Sequence, residues 1–550
     1  MDAEHPLDPS RRSFIAKTAA AAAGAALAGT GGVAGAKARP GPDGRSRGPH
    51  HALEEATIAE LGEQMASGQL SARRLTMAYL QRIRQLDEHG PQLNSILTIN
   101  PRALEIAELR DAERKAGKAR GPLHGIPIVL KDNIDTLDRM HSTAGSLALV
   151  DSKPQRDATV ARRLRRAGAI ILGKTNLSEW ANFRSTQSSS GWSGVAGQTR
   201  NPYVLDRNPC GSSSGSGTSV SANLAAASLG TETDGSIVCP ASATGIVGIK
   251  PTVGLTSRAG VVPISHSQDT VGPMCRTVAD AAVVLGAMTG VDPRDPATLD
   301  SRGRHHRDYS QFLDPDGLHG ARIGVARNLT GFSPETDEIF EAAVTAIRDA
   351  GATVVDPANL DSAAELDASG AEFEVLLYEF KTDIRRYLAT RSAGSPRTLK
   401  DLIEFNEAHA GRELRWFGQE IFELAQAKGP LTDPAYRQAL RTGRRLARAE
   451  GLDKVLGEHN LNAIVAPTGS PAWPTDLVNG DHFLGGSSSV AAVAGYPLIS
   501  VPAGFAFGLP VGITFMGAAF AEPTLIRVAS GFEAATGVRR APDYQPTLPY

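Results

Sequence analysis

Leu61 and Met65, then Leu75, Tyr79 and Ile83, recur at four-residue spacing, which places apolar side chains on one face of a helix. Thr57-Ile58-Ala59-Glu60 has the form of a capping box and Ser71 that of a second N-cap, so two amphipathic helices open the fold. Gly125-Ile126-Pro127-Ile128-Val129-Leu130-Lys131 is a short apolar run that ends abruptly in a lysine, as a buried strand does where it meets a cleft. A helix pattern over residues 158–167 and the run Ala169-Ile170-Ile171-Leu172 continue the alternation. The pattern predicts an α/β fold with a mixed, largely parallel central sheet covered by helices on both faces. From Asn328 to about Ala463 charged helices dominate, over 336–350 and 434–451, and are expected to lie on the sheet as a cover. Ile464–Pro467 and Leu498–Pro502 return to strand-like runs, so residues 55–545 read as one interleaved domain.

The first residues differ in kind. Ser10-Arg11-Arg12-Ser13-Phe14-Ile15 precedes an Ala/Gly-rich run from Thr18 to about Ala28, and Ala34-Gly35-Ala36 has the small-x-small form of a cleavage site. Residues 1–36 resemble a twin-arginine export signal, with a Gly/Pro/Arg-rich linker over 37–54. The expectation is a periplasmic or secreted protein with no stable membrane association once the signal is removed. Against 57 Lys+Arg stand 59 Asp+Glu, a balance that offers no basic face for nucleic acid. Cys210, Cys239 and Cys275 are too few for a disulfide framework and are read as small buried thiols. The 13 histidines contain no H-E-x-x-H or comparable ligand spacing, so neither metal nor cofactor is expected.

Gly168-Ala169-Ile170-Ile171-Leu172-Gly173-Lys174-Thr175 matches the phosphate-loop pattern letter for letter. Its four intervening residues are apolar, so the supposed loop is itself a strand and the match is a coincidence. Asn208-Pro209-Cys210-Gly211-Ser212-Ser213-Ser214-Gly215-Ser216-Gly217 is followed by an Ala-rich stretch, Ser219 to Leu229, read as helical. Gly230-Thr231-Glu232-Thr233-Asp234-Gly235-Ser236-Ile237 comes next. Ser236 needs a base to become a nucleophile, and no histidine lies in that stretch.

Lys131 after its apolar run, the Gly211–Gly217 segment and the Gly230–Ile237 segment, in that order, resemble the amidase signature family. The resemblance covers the chain from Thr57 to about Tyr544, and the Thr231–Ala241 variant is most similar to its peptide amidase branch. Most other members have glycine where this chain has Asp234 and arginine where it has Val238. The resemblance implies Ser236 as the acylated nucleophile, Ser212 as a bridging serine, Lys131 as the base and a cis Gly211–Ser212 peptide bond. Backbone amides of Thr233, Asp234, Gly235 and Ser236 are then expected to hold the oxyanion. The implied activity is removal of the C-terminal carboxamide of peptides as ammonia, on a small-molecule or peptide amide substrate, with no obligate protein partner. Alternatives are a broader aliphatic or aryl amidase, a glutaminase-type component of an amidotransferase, and a catalytically inactive exported solute-binding protein.

Overall fold

The computed structural model describes residues 53–549, so the export signal and all but the end of the linker lie outside the described residues. The first two helices form as their caps dictate. The Thr57 side chain accepts from the Glu60 amide and Glu60 reaches back to the Thr57 amide, opening α1 (Ile58–Ala66). Ser71 caps α2 (Ala72–Arg82) by accepting from the Arg74 amide.

Eleven strands make the central sheet: β1 (Ile96–Ile99), β2 (Pro127–Lys131), β3 (Ile170–Thr175), β4 (Ala227–Glu232), β5 (Val247–Lys250), β6 (Thr270–Cys275), β7 (Arg322–Val325), β8 (Thr353–Val355), β9 (Ala463–Pro467), β10 (Leu498–Ala506) and β11 (Leu509–Met516). Their order is β1-β3-β2-β4-β6-β5-β10-β11-β9-β7-β8. Parallel ladders join β3, β2 and β4 on one side and β9, β7 and β8 on the other, and antiparallel ladders link the two blocks. Every residue of β2, β3 and β4 is buried, as expected of strands covered on both faces.

Alternation along β9 shows the two layers. Ala463 and Val465 share a cluster with Phe340 and Phe532, whereas Ile464 and Ala466 pack with Leu446 and Val490, because successive strand residues face opposite sides. The covering helices include α3 (Thr159–Arg166), α4 (Ser214–Ser221), α5 (Val238–Ala243), α6 (Pro334–Asp349), α7 (Ala371–Leu388), α8 (Pro434–Arg444) and α9 (Ser489–Ala494). The segment expected only to cover the sheet also joins it, since Thr353–Val355 is the edge strand β8 and α6 packs on the sheet itself. Its remaining helices form the cover proper, with α7 lying in a separate apolar cluster.

Two expectations are corrected. The helix expected over Ser219–Leu229 instead starts at Ser214 and ends at Ser221, and Ala227 already belongs to β4. The Ser/Gly stretch is helical despite poor propensity because the site demands small residues there: a Cβ on Gly215 would lie 2.4 Å from the Ser95 carbonyl oxygen and 2.6 Å from that of Asn176. Cys210 and Cys239 are not free thiols but a disulfide, leaving Cys275 as the buried free cysteine among the described residues. The apparent phosphate loop is strand β3, and its lysine is occupied, with Lys174 Nζ donating to the Ile134 carbonyl at 2.6 Å and to Ser142 Oγ at 2.7 Å.

Candidate active site

Lys131 ends β2 and Glu232 ends its parallel neighbour β4, so both strands deliver their last side chains to one end of the sheet. Ligand sites of α/β sheets form at such carboxyl ends. Lys131 Nζ donates to Ser212 Oγ at 2.7 Å, to Thr231 Oγ1 at 3.0 Å and to the Thr231 carbonyl at 3.2 Å. Asn133 Nδ2 also donates to Thr231 Oγ1, at 2.9 Å. With Thr231 taking two amine hydrogens, the third direction at nitrogen is aimed at Ser212. If the amine is neutral, that direction is its lone pair.

Ser212 follows a cis peptide bond from Gly211, as the resemblance implies. The loop carrying it is stitched to the next one, because the Ser213 amide donates to the Ser236 carbonyl at 3.1 Å. Ser236 is thus tied through its carbonyl to the residue after Ser212, and its hydroxyl donates to no group among the described residues. Lys131 and Ser212 are wholly buried, while Ser236 keeps 8% exposure, placing it at the rim where a substrate can arrive.

The turn from Thr233 to Ser236 is held from three sides. Glu232 Oε2 accepts from the Ile237 amide at 2.7 Å and the Val238 amide at 3.0 Å. Thr233 Oγ1 donates to Asp269 Oδ1 at 2.6 Å. Asp234, whose side chain the sequence left unexplained, accepts from Ser488 Oγ at 2.5 Å and Ser489 Oγ at 2.8 Å, fastening the turn to the start of α9. Gly235 sits at φ 73°, a left-handed conformation that glycine adopts without steric cost. The amides of Thr233, Asp234, Gly235 and Ser236 donate to no group among the described residues, unlike the two that follow. Four open amides on one tight turn form the kind of concavity that holds an anion.

Burial sets the electrostatics. It pushes the Lys131 amine down to about 7, against the opposing pull of Glu232 and Asp269, because desolvation disfavours the charged form. Burial raises the carboxyl of Glu232, and that of Asp269 to about 6. Lys250 is likewise lowered by burial, to about 8, and donates to the Tyr496 carbonyl at 2.6 Å. Beside Asn133 a small apolar cavity is walled by Ala144, Trp180, Val262, Pro263 and Ile264, and Leu376, Leu377 and Phe380 of α7 extend the same cluster.

Sequence reasoning brought together Lys131, Ser212 and the Thr233–Ser236 turn, and the structure places all of them here. It missed Asn133, Asp269, Ser488 and Ser489, whose contacts cross long stretches of chain, and it gave Thr231 no role although that residue stands inside the quoted motif. It also missed that Cys210 and Cys239, 29 positions apart, tie the chain just before Ser212 to the helix just after Ser236. Closing a loop of that length restricts the unfolded chain by roughly 2–4 kcal/mol. Cys210→Ala/Cys239→Ala is therefore expected to unfold at lower temperature than the parent, read by thermal denaturation, and to lose turnover before it loses its fold.

Known proteins similar to this chain point to its family. The family model described as Amidase matches residues 74–526. A protein of Arabidopsis thaliana described as a probable amidase is 43% identical, over 90% of this chain and 92% of its own. A glutamyl-tRNA(Gln) amidotransferase chain of Halorhodospira halophila is 35% identical, over 88% of this chain and 98% of its own. The crystal structure of native peptide amidase from Stenotrophomonas maltophilia superposes with a TM-score of 0.85 at 52% identity, covering 89% of this chain and 99% of that one. A buried lysine at a strand end, a serine held against it, a second serine on a turn of open amides and these matches lead to one conclusion: the chain belongs to the amidase family and has the amidase-signature fold.

Proposed function

We propose that the protein removes the C-terminal carboxamide of peptides through a relay of Lys131, Ser212 and Ser236. The observation that carries the relay is the 2.7 Å contact between the buried Lys131 Nζ and Ser212 Oγ, next to a turn whose amides stand open. Neutral Lys131, with two hydrogens on Thr231, accepts the Ser212 proton as Ser212 accepts that of Ser236. The relay requires the Ser236 hydroxyl to reach Ser212 Oγ in the substrate complex, and catalytic hydrogen bonds commonly tighten only when substrate is bound. Ser236 Oγ then bonds to the amide carbon, and the developing oxyanion is received by the amides of Thr233 to Ser236. The C–N bond breaks as the relay returns its proton to the nitrogen, and ammonia leaves an ester on Ser236. Water attacks that ester by the same path, releasing the acid and restoring Ser236. No step draws on a metal or a cofactor.

The relay works only when Lys131 is neutral, and its ammonium forms as pH falls through about 7. kcat/KM is therefore expected to rise with pH through that region, read from initial rates in mixed buffers. A profile flat from pH 5 to pH 8 contradicts Lys131 as the base.

The substrate class is supported by similarity to the Stenotrophomonas maltophilia peptide amidase, at 52% identity over nearly all of that chain, which exceeds the 35% to the amidotransferase chain. Purified protein is expected to release ammonia from C-terminally amidated peptides of varied sequence and to leave internal bonds intact. Internal fragments in the mass spectrum, or turnover confined to long-chain fatty amides, contradict this reading. Export through residues 1–36 belongs to the same proposal, and the Cys210–Cys239 disulfide supports it, because disulfides persist in oxidising compartments. No helix of the described residues is long and apolar enough to cross a membrane.

A further inference from the structure

One cluster of chemistry-bearing side chains lies outside the relay. His266, Glu379 and Asp383 bring a ring nitrogen and two carboxylates together, the one group of metal-ligating type that converges among the described residues. Its carboxylates are already filled by protein donors. Glu379 is wholly buried and accepts from Ser265 Oγ at 2.6 Å, the Ser267 amide at 2.9 Å, Ser267 Oγ at 2.6 Å and the Tyr436 hydroxyl at 2.7 Å. Asp383 accepts from the His266 amide at 3.1 Å, His266 Nδ1 at 2.7 Å and Arg386 at 3.2 Å. His266 Nε2 stands 3.3 Å from Glu379 Oε1. The ring is thus hydrogen-bonded to Asp383 through Nδ1 and faces Glu379 as a counter-charge at its other nitrogen, an arrangement that suits a protonated ring.

The loop that carries His266 reaches the reaction centre at its other end. Asp269 accepts from the Ile264 and Ser265 amides, each at 2.9 Å, and from Thr233 Oγ1 at 2.6 Å. Gln268 Nε2 adds a contact to the Thr233 carbonyl at 3.4 Å. Residues 264–269 therefore connect α7, which bears Glu379 and Asp383, to the first residue of the turn with open amides.

We propose that His266 is a positioning residue: its ring, clamped between Asp383 and Glu379, fixes loop 264–269 so that Asp269 holds Thr233 and with it the turn that receives the oxyanion. This rests on the role proposed for that turn. It acts through position alone, since His266 touches none of the relay groups. The charges facing the ring are Asp383 and Glu379 from α7, Arg258, which donates to the His266 carbonyl at 2.5 Å and pairs with Asp295 at 2.7 Å, and Arg386 beyond Asp383. The ring keeps 41% exposure, so desolvation lowers its affinity for a proton only in part; the two carboxylates more than restore it, and the net direction is upward. A raised value means that the clamp is complete below the ordinary histidine range and is lost as pH rises through the folded value. The acid limb belongs to Lys131 and an alkaline limb to His266.

The test measures kcat and KM against pH for wild type, His266→Gln and Asp383→Asn, with Ser236 labelling by a serine-directed fluorophosphonate in each. Displacement of an oxyanion turn is expected to lower kcat by about 10- to 100-fold with KM little changed. His266→Gln should lose the alkaline limb, because glutamine does not titrate, while keeping the acid limb. Asp383→Asn should move the alkaline limb to lower pH, because the imidazolium loses a counter-charge, and it decides the matter if His266→Gln does not fold. Labelling of Ser236 in all three, with profiles identical to wild type, overturns the clamp and leaves the relay standing. Failure to label Ser236 in wild type overturns the relay and the clamp with it. Loss of activity on chelation, restored by zinc, overturns the clamp in favour of a metal centre.

Discussion

Ser236→Ala is expected to lose on the order of 10⁵- to 10⁶-fold in kcat while keeping its fold and much of its substrate affinity. The magnitude follows from the division of labour at nucleophilic serines, where removing the attacking oxygen leaves only about 10³- to 10⁴-fold of catalysis from binding and the oxyanion site. Ser236 Oγ takes part in no hydrogen bond among the described residues, so its removal strands no buried partner. The turn is held by Glu232, Asp269 and the serines at α9, none of which contacts that oxygen. Circular dichroism and thermal unfolding should match wild type, and turnover within tenfold of wild type by this variant contradicts Ser236 as the nucleophile.

Lys131→Ala is expected to lose about 10²- to 10⁴-fold in kcat/KM, the usual share of a general base. This variant does disturb its surroundings, because the wholly buried Ser212 Oγ loses its donor, while Thr231 keeps Asn133 on its hydroxyl and Ser213 on its carbonyl. Leaving one buried acceptor unpaired costs about 1–3 kcal/mol, so a lower melting temperature is expected too. Lys131→Met fills more of the space and separates the effects: stability returns toward wild type and activity does not. The double variant Lys131→Ala/Ser236→Ala should be no slower than Ser236→Ala alone, because members of one relay are not additive. Losses that multiply contradict a shared path, as measured by the double-mutant cycle on kcat/KM.

Where local chemistry decides structure, the sequence was legible. Thr57 with Glu60, and Ser71, cap the helices they announce, and the apolar run into Lys131 is a buried strand whose end carries the amine. Tertiary context decided the rest. Ala225 to Ala227 favour helix by propensity, yet Ala227 pairs with Ile128 in the sheet, and the helix forms over Ser214–Ser221, where Gly215 lies against the Ser95 and Asn176 carbonyls. The disulfide was hidden because it joins a loop to a helix 29 positions further on, a pairing invisible to any local pattern. Asp269 and Ser488 reach the turn over 36 and 254 positions, separations that no local pattern encodes. The role of the Asp234 side chain is visible only through those distant serines.

The relay stands or falls on which serine becomes acylated. Wild-type protein treated with a fluorophosphonate and digested, with the labelled peptide sequenced by tandem mass spectrometry, answers this directly. A single adduct is expected on Ser236, slowed strongly in Lys131→Ala and absent in Ser236→Ala. An adduct on Ser212 or another serine, or labelling of Ser236 at an undiminished rate without Lys131, contradicts it.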